Sequence, residues 1–212
     1  MRLVLAAALL LVGAQPAYAD LNSGAVYSEG QVFERDIDGR HVQYTTHQQP
    51  ADDLVLTSGS IVAGDGIVIF NAQLLSRSVA ADRYPVTLTL TTDDQNDVRV
   101  SFARVDFSTA EVVRWEAVVA YPVSSGTAAF MDADADSAAR ADFNTYGNAV
   151  LGALTDAVDN DEYWTSVVVN EETGVNAVIV TSGYGDGTYT VYWGLDANGA
   201  PVTLVADFQV IP

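Results

Sequence analysis

From Tyr84 to Leu90 the chain reads Tyr-Pro-Val-Thr-Leu-Thr-Leu, with Val86, Leu88 and Leu90 at every second position. A period of two puts successive side chains on opposite faces, so this segment predicts a strand with one buried face. The same alternation returns at Val113, Trp115, Ala117, Val119 and Tyr121, at Tyr189, Val191 and Trp193, and at Val202, Leu204, Ala206 and Phe208. Strands of this kind need short reversals, and the chain supplies the residues for them. Asp38-Gly39 predicts a two-residue turn pairing Ile37 with Arg40, Asp36 with His41 and Phe33 with Tyr44. Phe33, Val42 and Tyr44 then share one face, and His41, Gln43, Thr45 and His47 the other. Asn198-Gly199 marks the last hairpin.

The rhythm changes once. Between residues 134 and 158 alanine dominates and the apolar period lengthens, which predicts one or two short helices, capped by Asp134 or Asp136 and broken near Gly147. Val150, Leu151 and Leu154 supply the expected apolar stripe. The predicted fold class is therefore mainly β (α+β): an antiparallel, sandwich-like sheet domain with a small helical insertion.

The first residues read as an export leader. Arg2 is the charged start, Leu3 to Val12 the apolar stretch, and Ala17-Tyr18-Ala19 a small-x-small cleavage site. The expected division is residues 1–19 as leader, 20–53 as a loose arm and hairpin, and 54–212 as one β-rich domain. Export places the protein in the periplasm or the medium. No cysteine is present to use the disulfide chemistry such a compartment allows, so the fold is held by packing alone.

Composition excludes much chemistry. The 9 basic residues are all arginine. Without lysine there is no Walker-type phosphate lysine, no Schiff base and no Ser-Lys dyad. Without cysteine there is no thiol nucleophile and no thiolate zinc site. Loss of Arg2 with the leader leaves 8 arginines against 28 carboxylates, a formal charge of −20 where the whole chain carries −19. Such a field repels nucleic acid and anionic lipid, so neither is an expected partner, and no membrane anchor is expected after cleavage.

Ser182-Gly183-Tyr184-Gly185-Asp186-Gly187-Thr188-Tyr189, Tyr192-Trp193-Gly194, the Asp196 to Gly199 turn and Val205-Ala206-Asp207-Phe208 form a block that resembles the bacterial family known as domain of unknown function 4241. Tyr84-Pro85-Val86, Arg114-Trp115-Glu116 and the stretch from Gly126 to Asp132 resemble further blocks of that family, in the same order. The likeness covers roughly Leu54 to Ile211. It implies a family and no activity.

Three sets of residues are candidates for chemistry. Ser182, Gly183, Gly185, Asp186 and Gly187 could present backbone N–H groups to an anion, with Asp207 completing a carboxylate pair. The same glycines also suit a turn that needs only backbone freedom. Asp132, Asp134 and Asp136 have the spacing that opens a calcium loop, but Ser137 and Phe143 stand where its glycine and closing glutamate belong. His41 and His47 share a strand face yet lie roughly 20 Å apart, too far to ligate one metal. The leading expectation is an exported protein that binds a protein or small molecule without catalysis and without a cofactor, calcium excepted. A carboxylate hydrolase built on Asp186 and Asp207, assisted by a divalent cation, is the second. An immunity-type inhibitor of a basic protein is the third.

Overall fold

The computed structural model describes residues 21–37 and 39–211. The leader, Asp20 and Asp38 lie outside them.

In chain order the elements are α1 (Ser23–Val26), β1 (Val32–Ile37), β2 (Arg40–Pro50), β3 (Leu54–Leu56), β4 (Ser60–Asp65), β5 (Gln73–Ser78), β6 (Asp82–Tyr84), β7 (Val86–Asp93), β8 (Val98–Asp106), β9 (Arg114–Val123) and β10 (Thr127–Asp132). Then come α2 (Ala133–Ala141), α3 (Phe143–Asp159), β11 (Trp164–Asn170), β12 (Val175–Thr181), β13 (Gly187–Leu195) and β14 (Pro201–Asp207). Seven strands pair in the order β1-β2-β7-β8-β14-β13-β9, and five in the order β11-β12-β10-β4-β5. All pairings are antiparallel. The mainly β, sandwich-like fold class is thus observed.

The alternation explains the layers. Leu88, Val105, Val191, Trp193, Leu204 and Ala206 of the larger sheet meet Ile61, Ala63, Phe130, Val178 and Val180 of the smaller one in the main core. Trp193 is fully buried there. The other face of the smaller sheet, with Val62, Met131, Ala177 and Ile179, packs on Ala135, Ala139, Tyr146 and Val150 of the two helices. The other face of the larger sheet is also covered. Val42, Tyr44, Phe102 and Val205 lie beneath Ala25 and Val26 of α1 and Val210 and Ile211 of the C-terminal tail.

That last layer corrects the expectation of a loose arm. Residues 21–30 are docked, because Thr89 Oγ1, Gln48 Nε2 and Arg104 Nη1 all donate to the carbonyl of Val26. The β1–β2 pairing has the expected register, including Phe33 opposite Tyr44 and Asp36 opposite His41.

Four local expectations change. Asp132, not Asp134 or Asp136, caps α2, its side chain accepting the Asp134 amide. The helical break falls at Asp142, which caps α3, and α3 runs unbroken through Gly147. Leu151 is exposed, and the buried stripe of α3 is Tyr146, Val150 and Ala157. Finally, β9 carries an irregularity opposite Val191 and Tyr192. One extra residue inverts the facing of everything beyond it. Val119 and Tyr121 therefore face the main core, while Trp115 packs against the arm side of the sheet. No helix of the described residues is long and apolar enough to cross a membrane.

Candidate functional site

The stretch from Ser182 to Tyr189 links β12 to β13, and its backbone is held from within. The Ser182 amide donates to the Gly126 carbonyl, and the Gly185 amide to the Ser182 carbonyl. The Tyr189 hydroxyl points back into the loop, 2.7 Å from the Gly185 carbonyl and 3.1 Å from that of Ser182. Ser182 Oγ donates to the same Gly185 carbonyl. Gly183 has φ +48°, and a Cβ there would lie 2.7 Å from the Phe208 carbonyl oxygen. These contacts account for the glycines by turn geometry and close packing.

What the loop offers outward is its alternate side chains. Tyr184, Asp186 and Thr188 are exposed, with buried or half-buried residues between them. They line one side of a cleft of about 570 Å³. The β1–β2 hairpin adds Arg35, Arg40 and Tyr44. The β7–β8 turn adds Asp93, Gln95 and Asp97, and Phe208 and Gln209 close it behind Tyr189. A volume of this order lies within the range of about 300–1,000 Å³ common for ligand sites.

The cleft is held in shape by arginine and tyrosine. The Arg99 guanidinium sits 4.7 Å from the centre of the Tyr184 ring and donates to the Gly183 carbonyl. Its Nε is 2.7 Å from Asp97. The Tyr44 and Tyr184 hydroxyls are 2.7 Å apart. Burial first, then the hydrogen bond to Tyr184, raises the Tyr44 phenol well above its ordinary pKa, so it stays protonated. Arg35 clamps the C-terminal tail, with Nη1 on the Gln209 and Val210 carbonyls. Arg40 is held loosely, 3.5 Å from Asp93 and 3.7 Å from Asp94. Sequence reasoning missed Tyr44, Arg40 and Arg35 as site residues. Their only signal was the hairpin register, which places Arg35 opposite Val42 and Ile37 opposite Arg40 but says nothing of a loop 140 residues downstream.

The remaining candidates fall elsewhere. Asp186 lines the cleft and accepts the Gly126 amide at 3.0 Å. Asp207 does not line it. Its carboxyl is buried on β14 and accepts the Gln209 amide at 2.8 Å. Desolvation pushes its pKa up to about 6, against the ordinary 3.8. Folding therefore disfavours the ionised form, and stability falls as pH rises from about 4 to about 6. Asp207→Asn is expected to raise the unfolding free energy by about 2 kcal/mol at neutral pH and to change it little near pH 4. Urea unfolding at both pH values tests this, and an equal effect at both would mean that burial does not raise the pKa of this carboxyl.

Asp132 is fully buried, with Oδ2 accepting from the Thr57 and Ser58 amides and the Ser58 hydroxyl, and Oδ1 from the Asp134 amide. Asp134 is exposed, and Asp136 pairs with Arg140 at 2.7 Å. The three form the start of α2, not a convergent set. Among the described residues no group of three or more histidine, cysteine or acidic side chains could hold a metal ion. His41 bonds Asp36 and His47 bonds Glu29, both on the exposed face.

The model of a protein family, described as "Protein of unknown function (DUF4241)", matches residues 54–206. The chain belongs to this family. The match runs from the start of β3 to the penultimate residue of β14. DUF4241 thus covers both sheets' central strands and the Tyr184–Asp186 side of the cleft, while Arg35, Arg40, Tyr44, Phe208 and Gln209 lie outside the matched stretch. No curated protein and no solved structure matches the chain.

Proposed function

We propose that this DUF4241 protein is an exported binding protein that holds a small ligand in the cleft between the β1–β2 hairpin and the Tyr184 loop, without catalysis. The observation that carries the reading is the Tyr44–Tyr184 hydroxyl contact, which joins two remote segments over a cleft lined by two arginines, three carboxylates and aromatic rings. Few precisely placed polar groups on an aromatic wall are what orient a small molecule. Export, to the periplasm or the medium, rests on the leader-like first 19 residues. The large negative charge argues against nucleic acid and anionic membranes as partners. A hydrolase using Asp186 with Asp207 is not favoured, because only Asp186 lines the cleft.

Thermal unfolding in the presence of small-molecule classes (sugars, sugar acids, amino acids, nucleotides, phosphate) tests the proposal. A true ligand at a hundredfold over its Kd adds about 2.7 kcal/mol to the folded state. At least one class is expected to raise the Tm of the natural chain and not that of Tyr184→Ala. Tyr184 is 50% exposed, so its removal leaves the core intact. If no class raises the Tm, or if Tyr184→Ala responds equally, the cleft is not a binding site.

A further inference from the structure

We propose that the ligand of the cleft is a polyhydroxylated monocarboxylate, a sugar acid of the hexuronate kind; this rests on the cleft being a binding site. The hydrogen-bonding inventory of the walls sets the ligand's chemistry. Arg40 lines the cleft, its side chain 45% exposed and its two terminal nitrogens held only at 3.5 Å by Asp93 and 3.7 Å by Asp94. A planar fork of N–H donors matches the two oxygens of a carboxylate. The tyrosine pair adds a donor. Two hydroxyls 2.7 Å apart share one hydrogen bond, which uses one proton and leaves the second to be directed elsewhere. This part of the wall donates, and the ligand group that meets it accepts.

The rest of the wall accepts. Asp93, Asp97 and Asp186 line the cleft; Asp93 is held by the Gln95 and Asp97 amides and Arg40, and the exposed carboxylates are those of Asp97 and Asp186. Ionised carboxylates only accept hydrogen bonds, so the ligand must bring donors of its own, and hydroxyl groups are the donors that do so without adding charge. The charge balance narrows the choice further. Two lining arginines against three carboxylates leave the cleft negative, which disfavours a phosphate dianion and tolerates one delocalised charge placed at Arg40. Tyr189 and Phe208 pack edge to face behind the cleft, with ring centres 5.2 Å apart, and Tyr184, 50% exposed, is the aromatic surface that the apolar body of a sugar ring can cover.

Titration calorimetry of the intact protein with glucuronate, galacturonate, glucose and inorganic phosphate tests the assignment. A uronate is expected to bind about tenfold or more tightly than glucose, the worth of one charge-assisted contact. Phosphate is expected not to bind measurably. Arg40→Gln should bring uronate down to the level of glucose, with an unchanged melting curve in the absence of ligand showing that the variant is folded. Glucose binding as tightly as the uronates, phosphate displacing them, or a preference that survives in Arg40→Gln would each overturn the assignment. If uronates fail while another class raises the Tm through Tyr184, the sugar-acid assignment falls and the binding site stands. If nothing raises the Tm, both fall.

Discussion

Asp65→Ala is expected to lower the folding stability by about 4 kcal/mol, the scale at which a buried hydrogen-bonded charge is lost with its partners left behind. Asp65 ends β4 and is 1% exposed. Its Oδ1 accepts from the Ile67 and Val68 amides and the Ser125 hydroxyl at 2.6–2.8 Å. Its Oδ2 accepts from the Ser124 and Ser125 amides at 2.8 and 3.1 Å. Alanine would leave four backbone N–H groups without this acceptor. Asparagine is expected to lose nearly as much, because its NH₂ group would face donors on one side. Burial alone would raise the pKa of this carboxyl, but the bonds from Ser125, Ser124, Val68 and Ile67 outweigh it, and the net shift is downward. The stability Asp65 provides is thus complete above its ordinary pKa of 3.8 and disappears as pH falls through the lower folded value. Urea unfolding near pH 7 measures the loss, and a change below about 1 kcal/mol would show that the loop re-forms without the carboxylate.

The Asp65 bonds also reach the site. Ser124, Ser125 and Gly126 form the turn onto which Asp186 docks through the Gly126 amide. The chain's two Gly-Asp-Gly units, at Gly64 and Gly185, therefore place their aspartates on one turn, Asp65 from the end of β4 and Asp186 from the β12–β13 loop.

The second large effect is expected at Gly183→Val, with a loss of about 3 kcal/mol and of ligand binding in the cleft. The positive φ of 48° is strained for any branched side chain, and the new Cβ would meet the Phe208 carbonyl oxygen at 2.7 Å and the Phe208 Cβ at 3.0 Å. With Val210 Cγ2 also at 3.1 Å, the backbone oxygen and the two side chains leave little room to give. The loop must shift, and Tyr184 with it, away from Tyr44 and Arg99. Gly185→Ala supplies the comparison. There φ is +102° but nothing lies within 4 Å of the added atom, so only backbone strain of about 1 kcal/mol remains. Thermal unfolding of the two variants separates collision from strain. Equal losses would mean that the contact with Phe208 does not constrain the loop.

Much of the fold was legible because its information is local. Asp38-Gly39 and the alternation around it gave the β1–β2 register to the residue. Asp196 to Ala200 behaved as a turn for a similar reason, with Asp196 Oδ1 accepting from the Asn198 and Ala200 amides. Where the text of the chain lacks a period, the strands were invisible. Gln73–Ser78 and Asp82–Tyr84 are short and largely polar, and exist as strands because a neighbour offers unpaired backbone: β4 for the first, β3 for the second. Trp115 shows the other limit. Its alternation with Val119 and Tyr121 is real in the sequence, but a bulge whose position depends on pairing with β13 puts it on the opposite face.

The sequence by itself determined the β-rich class, the turn positions, the helical insertion, family membership over residues 54–206, and the absence of thiol and amine chemistry. These follow from residue type and from spacings of two to four positions, over which the backbone geometry is nearly fixed. Only the tertiary structure decided which strand ends meet. Tyr44 and Tyr184 stand 140 residues apart and share a hydrogen bond because β2 and the β12–β13 loop reach the same end of the sandwich. That meeting depends on the strand order β2-β7-β8-β14-β13, which burial of a common core selects and no local pattern encodes. The glycine-rich loop was readable as a loop; that its tyrosine forms one wall of a cleft was not.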